Sequence, residues 1–132
     1  MSKDILLIEP DRVVGKTVTS VLKSRGYVVR QVYDAQAAIV EADDSCPDLV
    51  ICEIQLIGHS GIEFLYEFRS YTDWQKVPVV VFSAVPPSEF ALSSNGLAIE
   101  LGVSRYLYKP ATSMAQLLRE VDELFISANE PA

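Results

Sequence analysis

Pro47-Asp48-Leu49-Val50-Ile51-Cys52-Glu53 sets four consecutive apolar residues between a helix-stopping pair and a single acid. An unbroken apolar run of this length, without polar alternation, marks a strand covered on both faces, as in parallel sheets with helices above and below. The acid that ends it, Glu53, stands outside the carboxyl end of the strand, where an open α/β sheet gathers its ligands.

The same signature recurs on both sides. Ile5-Leu6-Leu7-Ile8 reads as the first strand and Val77-Pro78-Val79-Val80-Val81-Phe82 as the fourth, with the proline confined to its entrance. Tyr27 to Val32 is β-branched but polar at Arg30 and Gln31, which predicts an edge strand, and Arg105 to Tyr108 reads as the last strand. Helical spacing fills the gaps. Val14, Val18, Val21 and Leu22 lie between a capping Asp11 and a terminating Gly26, and Asp34 caps a helix over 35–44 that presents Ala38, Ile39 and Ala42. Ile62, Leu65 and Phe68 give 61–70 an apolar face, and Leu117, Leu118, Val121, Leu124 and Phe125 make the clearest amphipathic helix. From 88 to 101 the turn signal Ser93-Ser94-Asn95-Gly96 predicts one short or broken helix. Five strands alternating with five helices imply a doubly wound α/β fold of parallel strands joined by right-handed crossovers. One domain, 1–132 with a core of about 4–127, accounts for the whole chain of 132 residues.

Composition narrows the function. Hydrophobic residues at 49% and charged residues at 22% are globular proportions, and 11 Lys and Arg against 18 Asp and Glu leave a net charge of -7. Such a surface repels a phosphate backbone or an anionic bilayer, so neither nucleic acid nor membrane is an expected partner. No apolar run approaches the roughly 20 residues of a membrane span. The apolar run Ile5–Ile8 is also too short for a secretory signal, so a cytoplasmic location is expected. Cys46 and Cys52 lie in what reads as one extended segment, too far apart for a disulfide, and read as free thiols. With only His59 to join them, no zinc site is expected, and His59 reads as an ordinary loop histidine. Tyr71 and Trp74 read as a cover over one end of the sheet rather than a partner contact.

The strand ends carry the chemistry: Glu9, Pro10 and Asp11 after the first, Glu53 after the third, Ser83 after the fourth, Lys109 and Pro110 after the fifth. Carboxylates, a hydroxyl and a lysine would meet in one small pocket. Glu-Pro-Asp after the first strand is no glycine-rich phosphate loop, which argues against a nucleotide or flavin enzyme on this architecture.

This order and spacing resemble the receiver domain of two-component response regulators. The resemblance rests on Tyr106-Leu107-Tyr108-Lys109-Pro110, Ser83-Ala84 and Gly26-Tyr27-Val28-Val29 in that arrangement, and covers about 4–127. It implies a flavodoxin-like fold with strand order 2-1-3-4-5. In that family an acidic pair after the first strand binds magnesium and an aspartate after the third accepts phosphate from a histidine kinase. A Ser or Thr and a Lys then read the phosphoryl group. Here the pair falls on Glu9 and Pro10 and the acceptor on Glu53. Pro10 offers no carboxylate to a hard cation. Asp11 starts a helix, and Gln55 retains only the backbone carbonyl that the family uses as a metal ligand. Glu53 reaches one methylene further than aspartate, away from in-line geometry and toward Lys109. Its roles narrow to a solvated strand-end residue, an ion pair with Lys109 that partly imitates a phosphoryl group, or a true phosphoacceptor, the ion pair being expected.

Ser83 and Tyr106 fall on the family's phosphoryl-reading and switch positions, although strand-end satisfaction and ordinary packing would also explain them. The resemblance further implies a cis bond before Pro110. Between Ser83 and Lys109 the chain is a few residues longer than usual, the surplus falling in Val85-Pro86-Pro87-Ser88 and the serines beyond, which suggests an altered output surface. The expectation is a stand-alone pseudo-receiver, not an enzyme, without a cofactor beyond weak magnesium. It would act on a histidine kinase, a phosphotransfer protein or an output protein, with homodimerisation open. A conventional phosphorelay receiver using Glu53 or Asp11, and a flavodoxin-like small-molecule binding module, are the alternatives.

Overall fold

Alternate residues of each aliphatic run face two separate cores, and this is what folds the runs into one sheet. The computed structural model describes residues 2–56, 58, 60–93 and 101–129. In chain order the elements are β1 (Asp4–Ile8), α1 (Arg12–Ser24), β2 (Val28–Val32), α2 (Ala35–Asp44), β3 (Leu49–Cys52) and α3 (Gly61–Ser70). They continue with β4 (Val79–Ser83), α4 (Pro87–Ser93), β5 (Val103–Tyr108) and α5 (Met114–Asn129). Short 3-10 turns cover Thr72–Trp74 and Lys109–Ala111.

The five strands are parallel in the order β2-β1-β3-β4-β5, the flavodoxin-like arrangement expected. Ile5, Leu7, Leu49, Ile51, Val80 and Phe82 pack under α1 and α5, against Val18, Leu22, Leu117 and Val121. Leu6, Ile8, Val50, Cys52, Val79 and Val81 pack on the opposite side against Ala38, Phe64, Leu65 and Phe68. Burial on both faces explains why β3 and β4 read as unbroken apolar runs. The partly exposed β2 lies at the edge, as its polar Arg30 and Gln31 require.

Local signals set the helix ends. The Asp11 carboxylate accepts from the amides of Val13 (2.9 Å) and Val14 (3.1 Å), and Asp34 accepts from Ala37 at 2.8 Å. Gly26, at φ 92°, closes α1 with the amides of Gly26 and Tyr27 returning to the carbonyls of Lys23 and Leu22. Two strand starts lie two residues from those the periodicity gives. Pro78 has no amide to donate, so β4 begins at Val79, while β5 extends back to Val103 because Val79 is there to pair with it. The serine-rich turn at 94–96 and His59 lie outside the described residues. Trp74 is buried, stacked on Phe68 at 5.0 Å and touching Tyr71 at 4.5 Å, so it belongs to the core at the end of the sheet. Cys52 is buried, Cys46 is exposed, and both are free thiols. No helix among the described residues is long and apolar enough to cross a membrane.

Candidate functional site

Three polar residues are buried among the described residues, and all three follow or end strands: Glu9 (2% exposed), Glu53 (4%) and Ser83 (0%). Parallel pairing of Ile8 with Cys52 makes Glu9 and Glu53 leave adjacent strands side by side, the Glu53 amide donating to the Ile8 carbonyl at 3.0 Å. Ser83 pairs with Tyr108 in β5, which delivers Lys109 to the same end of the sheet. Its ammonium lies 2.7 Å from Glu9 Oε1 and 2.9 Å from Glu53 Oε1. The ion pair expected between Glu53 and Lys109 is present. That Glu9 shares the same ammonium was not legible, because only the strand register brings it there.

The remaining carboxylate oxygens are held by backbone amides. Glu53 Oε2 accepts from Ile54 at 2.6 Å and Gln55 at 3.4 Å, Glu53 Oε1 from Ala84 at 3.4 Å, and Glu9 Oε2 from Asp11 at 3.1 Å. Burial alone would pull Lys109 below the usual lysine range. The hydrogen bonds and charges of Glu9 and Glu53 together outweigh it and hold the ammonium above that range. Its charge also lies 5.5 Å from the centre of the Phe82 ring.

A second cluster adjoins the first. Ser83 Oγ accepts from the Val85 amide at 3.0 Å, and the Tyr106 hydroxyl donates to the Val85 carbonyl at 2.5 Å. The Tyr106 ring packs on Phe90 at 5.0 Å, and burial raises its phenol above the ordinary value. Val85 thus joins both side chains through its backbone, a role no side-chain pattern announces. Gly61 is also required by the site. A Cβ there would lie 2.6 Å from the Glu53 carbonyl oxygen and 2.7 Å from Ile54 Cα, so only glycine lets α3 start this close to β3.

Other candidates stay apart. Asp11 is exposed and turned into its helix cap, and Pro10 supplies no ligand. Gln55 is exposed and bridges to Ser60 across the loop. The cis bond expected before Pro110 is a correction: no peptide bond among the described residues is cis. Lys109–Ala111 forms instead a 3-10 turn, whose first residues tolerate a trans proline because their amides need no partner.

The donor set does not suit magnesium. A hard octahedral cation needs several convergent oxygens, and here an ammonium occupies the space between the two buried carboxylates. Among the described residues no three His, Cys, Asp or Glu side chains cluster as a metal site would need.

The profile of the response regulator receiver domain family matches residues 5–122. The KDP operon transcriptional regulatory protein KdpE of Escherichia coli is 30% identical over 107 residues, 81% of this chain and 44% of that protein. The phosphate regulon regulator PhoB of the same organism is 26% identical over 110 residues, 83% of this chain and 46% of PhoB. The chain therefore spans less than half the length of these curated relatives. Among solved structures, a putative response regulator from Chloroflexus aurantiacus superposes with TM-score 0.84 at 22% identity, covering 96% of this chain and 99% of that one. The chemotaxis protein CheY4 of Vibrio cholerae superposes with TM-score 0.83 at 19% identity, covering 93% and 98%. With its five-stranded sheet, its strand-end pocket and a family profile over residues 5–122, this chain belongs to the response regulator receiver domain family.

Proposed function

We propose that this receiver domain transmits signals by protein contact, without catalysis of its own and without the magnesium-dependent aspartyl phosphorylation usual in its family. The observation that carries this reading is Lys109 Nζ held at once by Glu9 (2.7 Å) and Glu53 (2.9 Å). A carboxylate that accepts phosphate needs a free oxygen aimed at the donor and a cation to balance the charge that develops. Both Glu53 oxygens are engaged, one by Lys109 and the Ala84 amide and one by the amides of Ile54 and Gln55. Glu53 then stands where an acyl phosphate would present an oxygen. It supplies a permanent single charge that keeps Lys109, Ser83, Val85 and Tyr106 in one arrangement. A glutamate carries one charge where a phosphoryl group carries closer to two, so the imitation is partial.

The test is intact-protein mass spectrometry after incubation with acetyl phosphate and magnesium, with the Pro10→Asp, Glu53→Asp double variant alongside. The wild type should gain no phosphoryl group. The double variant should gain one, because the shorter side chain withdraws from Lys109 and the new aspartate adds the missing oxygens. An adduct on the wild type would return the protein to the conventional relay and overturn this reading.

A further inference from the structure

A groove of about 400 Å³ opens at the amino ends of β3 and β4, the end of the sheet opposite the strand-end pocket. It lies between the connection that follows α2 and the one that follows α3. Buried Ala42 and Trp74 make its floor, and Tyr71 stands beside them with its ring 4.5 Å from that of Trp74. Trp74 completes the core, whereas Tyr71, 44% exposed, presents its ring to solvent.

The rim carries Asp43, Asp44 and Asp73, all exposed, and no lysine or arginine. None of these three carboxylates makes an ion pair among the described residues. Asp43 and Asp44 stand in the last turn of α2, at the negative end of its dipole, and that turn holds no basic residue. The cation next to this turn, Arg30, is taken up by Asp4 at 3.0 Å and by the carbonyls of Glu41 and Ser45 at 2.7 Å each. An exposed aromatic ring, three uncompensated carboxylates and a helix C-terminus therefore share one groove, and each of them attracts a cation. The acids do not cluster as a metal ion would need among the described residues. A guanidinium suits them better, because it spreads its charge over five donors and stacks on an aromatic face.

We propose that this groove is the docking site for an arginine-bearing segment of a partner protein, the guanidinium stacked on Tyr71 and paired with the aspartates of the rim. Aliphatic neighbours of that arginine would cover Trp74. The contact goes beyond the function argued above, which concerns Glu53 and Lys109 at the carboxyl ends of the strands. A partner seated at the amino ends would hold the domain and leave the strand-end pocket open to a second protein.

The test is a titration of the 15N-labelled full chain with a short synthetic peptide of two arginines flanking a leucine. A neutral counterpart carries citrulline in place of arginine. Trp74 is the only tryptophan of the chain, so its fluorescence reads the floor of the groove directly. The arginine peptide should change that fluorescence saturably and shift amides at 42–46 and 71–74, and the citrulline peptide should do neither. Asp73→Lys and Tyr71→Ala should each weaken binding about fivefold or more, the first by like charge and the second by loss of the ring. Tyr71→Phe, which keeps the ring, should bind as the wild type does. Glu123→Lys, an equal change in net charge on the exposed side of α5, should stay within about twofold. Amide spectra of the free variants establish that each is folded. Shifts spread over the whole surface, equal loss in Asp73→Lys and Glu123→Lys, undiminished binding by Tyr71→Ala, equal binding of the citrulline peptide, or no binding would each overturn the proposal. A phosphoryl adduct in the mass experiment would instead overturn the contact-based function, and the peptide titration would still decide the groove.

Discussion

Lys109 is the residue on which the pocket depends, because it is the cation that lets Glu9 and Glu53 be buried next to each other. Removing one partner of a buried pair leaves uncompensated charge, so Lys109→Met should lower the unfolding free energy by about 3 kcal/mol in urea denaturation at neutral pH. The pH dependence follows from the raised Lys109 value. In the folded protein the proton is held more tightly than in the unfolded chain, whose value is near 10.5. The stabilisation is therefore complete below that pH and is lost as pH rises through the folded value. The gap between wild type and Lys109→Met should narrow above about pH 10.5. A gap that stays constant up to strongly alkaline pH would show that the ammonium is not what stabilises the fold. Glu53 and Lys109 were legible as partners from their places after two strands. The share of Glu9 in the same ammonium was not.

Among the elements, the junction of β3 and α3 is closed by backbone against backbone. The Gly61 amide donates to the Ile54 carbonyl at 2.6 Å, and the space a side chain would need is filled by backbone atoms that cannot move independently. Gly61→Ala should cost about 2 kcal/mol, within the range for overpacked sites. It should also shift the amide resonances of Ile54 and Gln55, which report on the Glu53 carboxylate. Gly26→Ala, at φ 92° with open space around it, should cost about 1 kcal/mol and leave those resonances in place. Equal effects of the two substitutions on the Ile54 and Gln55 signals would separate the junction from the pocket. Helix ends were readable because caps are local: Asp11, Asp34 and Gly26 act within a turn of their own position. The starts of β4 and β5 were not, because a strand extends as far as its neighbour offers partners.

At the scale of the whole molecule, the helix layer formed by α1 and α5 is tied together across the sequence. The Tyr27 hydroxyl donates to Asp122, and Arg25 pairs with the same carboxylate at 2.6 Å, fixing α5 to the turn between α1 and β2. Burial, reinforced by the Asp122 hydrogen bond and charge, pushes the Tyr27 phenol above its ordinary 10.0. Above that pH the unfolded chain ionises while the folded protein keeps its proton, so this contribution to stability falls as pH rises. Tyr27→Phe should cost about 1 kcal/mol at neutral pH. It should also remove part of the alkaline loss of stability in urea melts, leaving the part due to Lys109. If wild type and Tyr27→Phe decline in parallel above pH 10, the phenol is not buried as described.

The sequence by itself determined the alternation of five strands and five helices, the edge character of β2, the helix caps and the identity of the residues that meet at the strand ends. These follow from periodicity, capping and chain reversal, which act over a few residues. The tertiary structure alone decided that one ammonium serves two carboxylates and that Val85 joins Ser83 to Tyr106. Parallel strands are joined by crossovers, so the register that sets Glu9 beside Glu53 and brings Lys109 across 56 residues depends on the packing of the whole sheet.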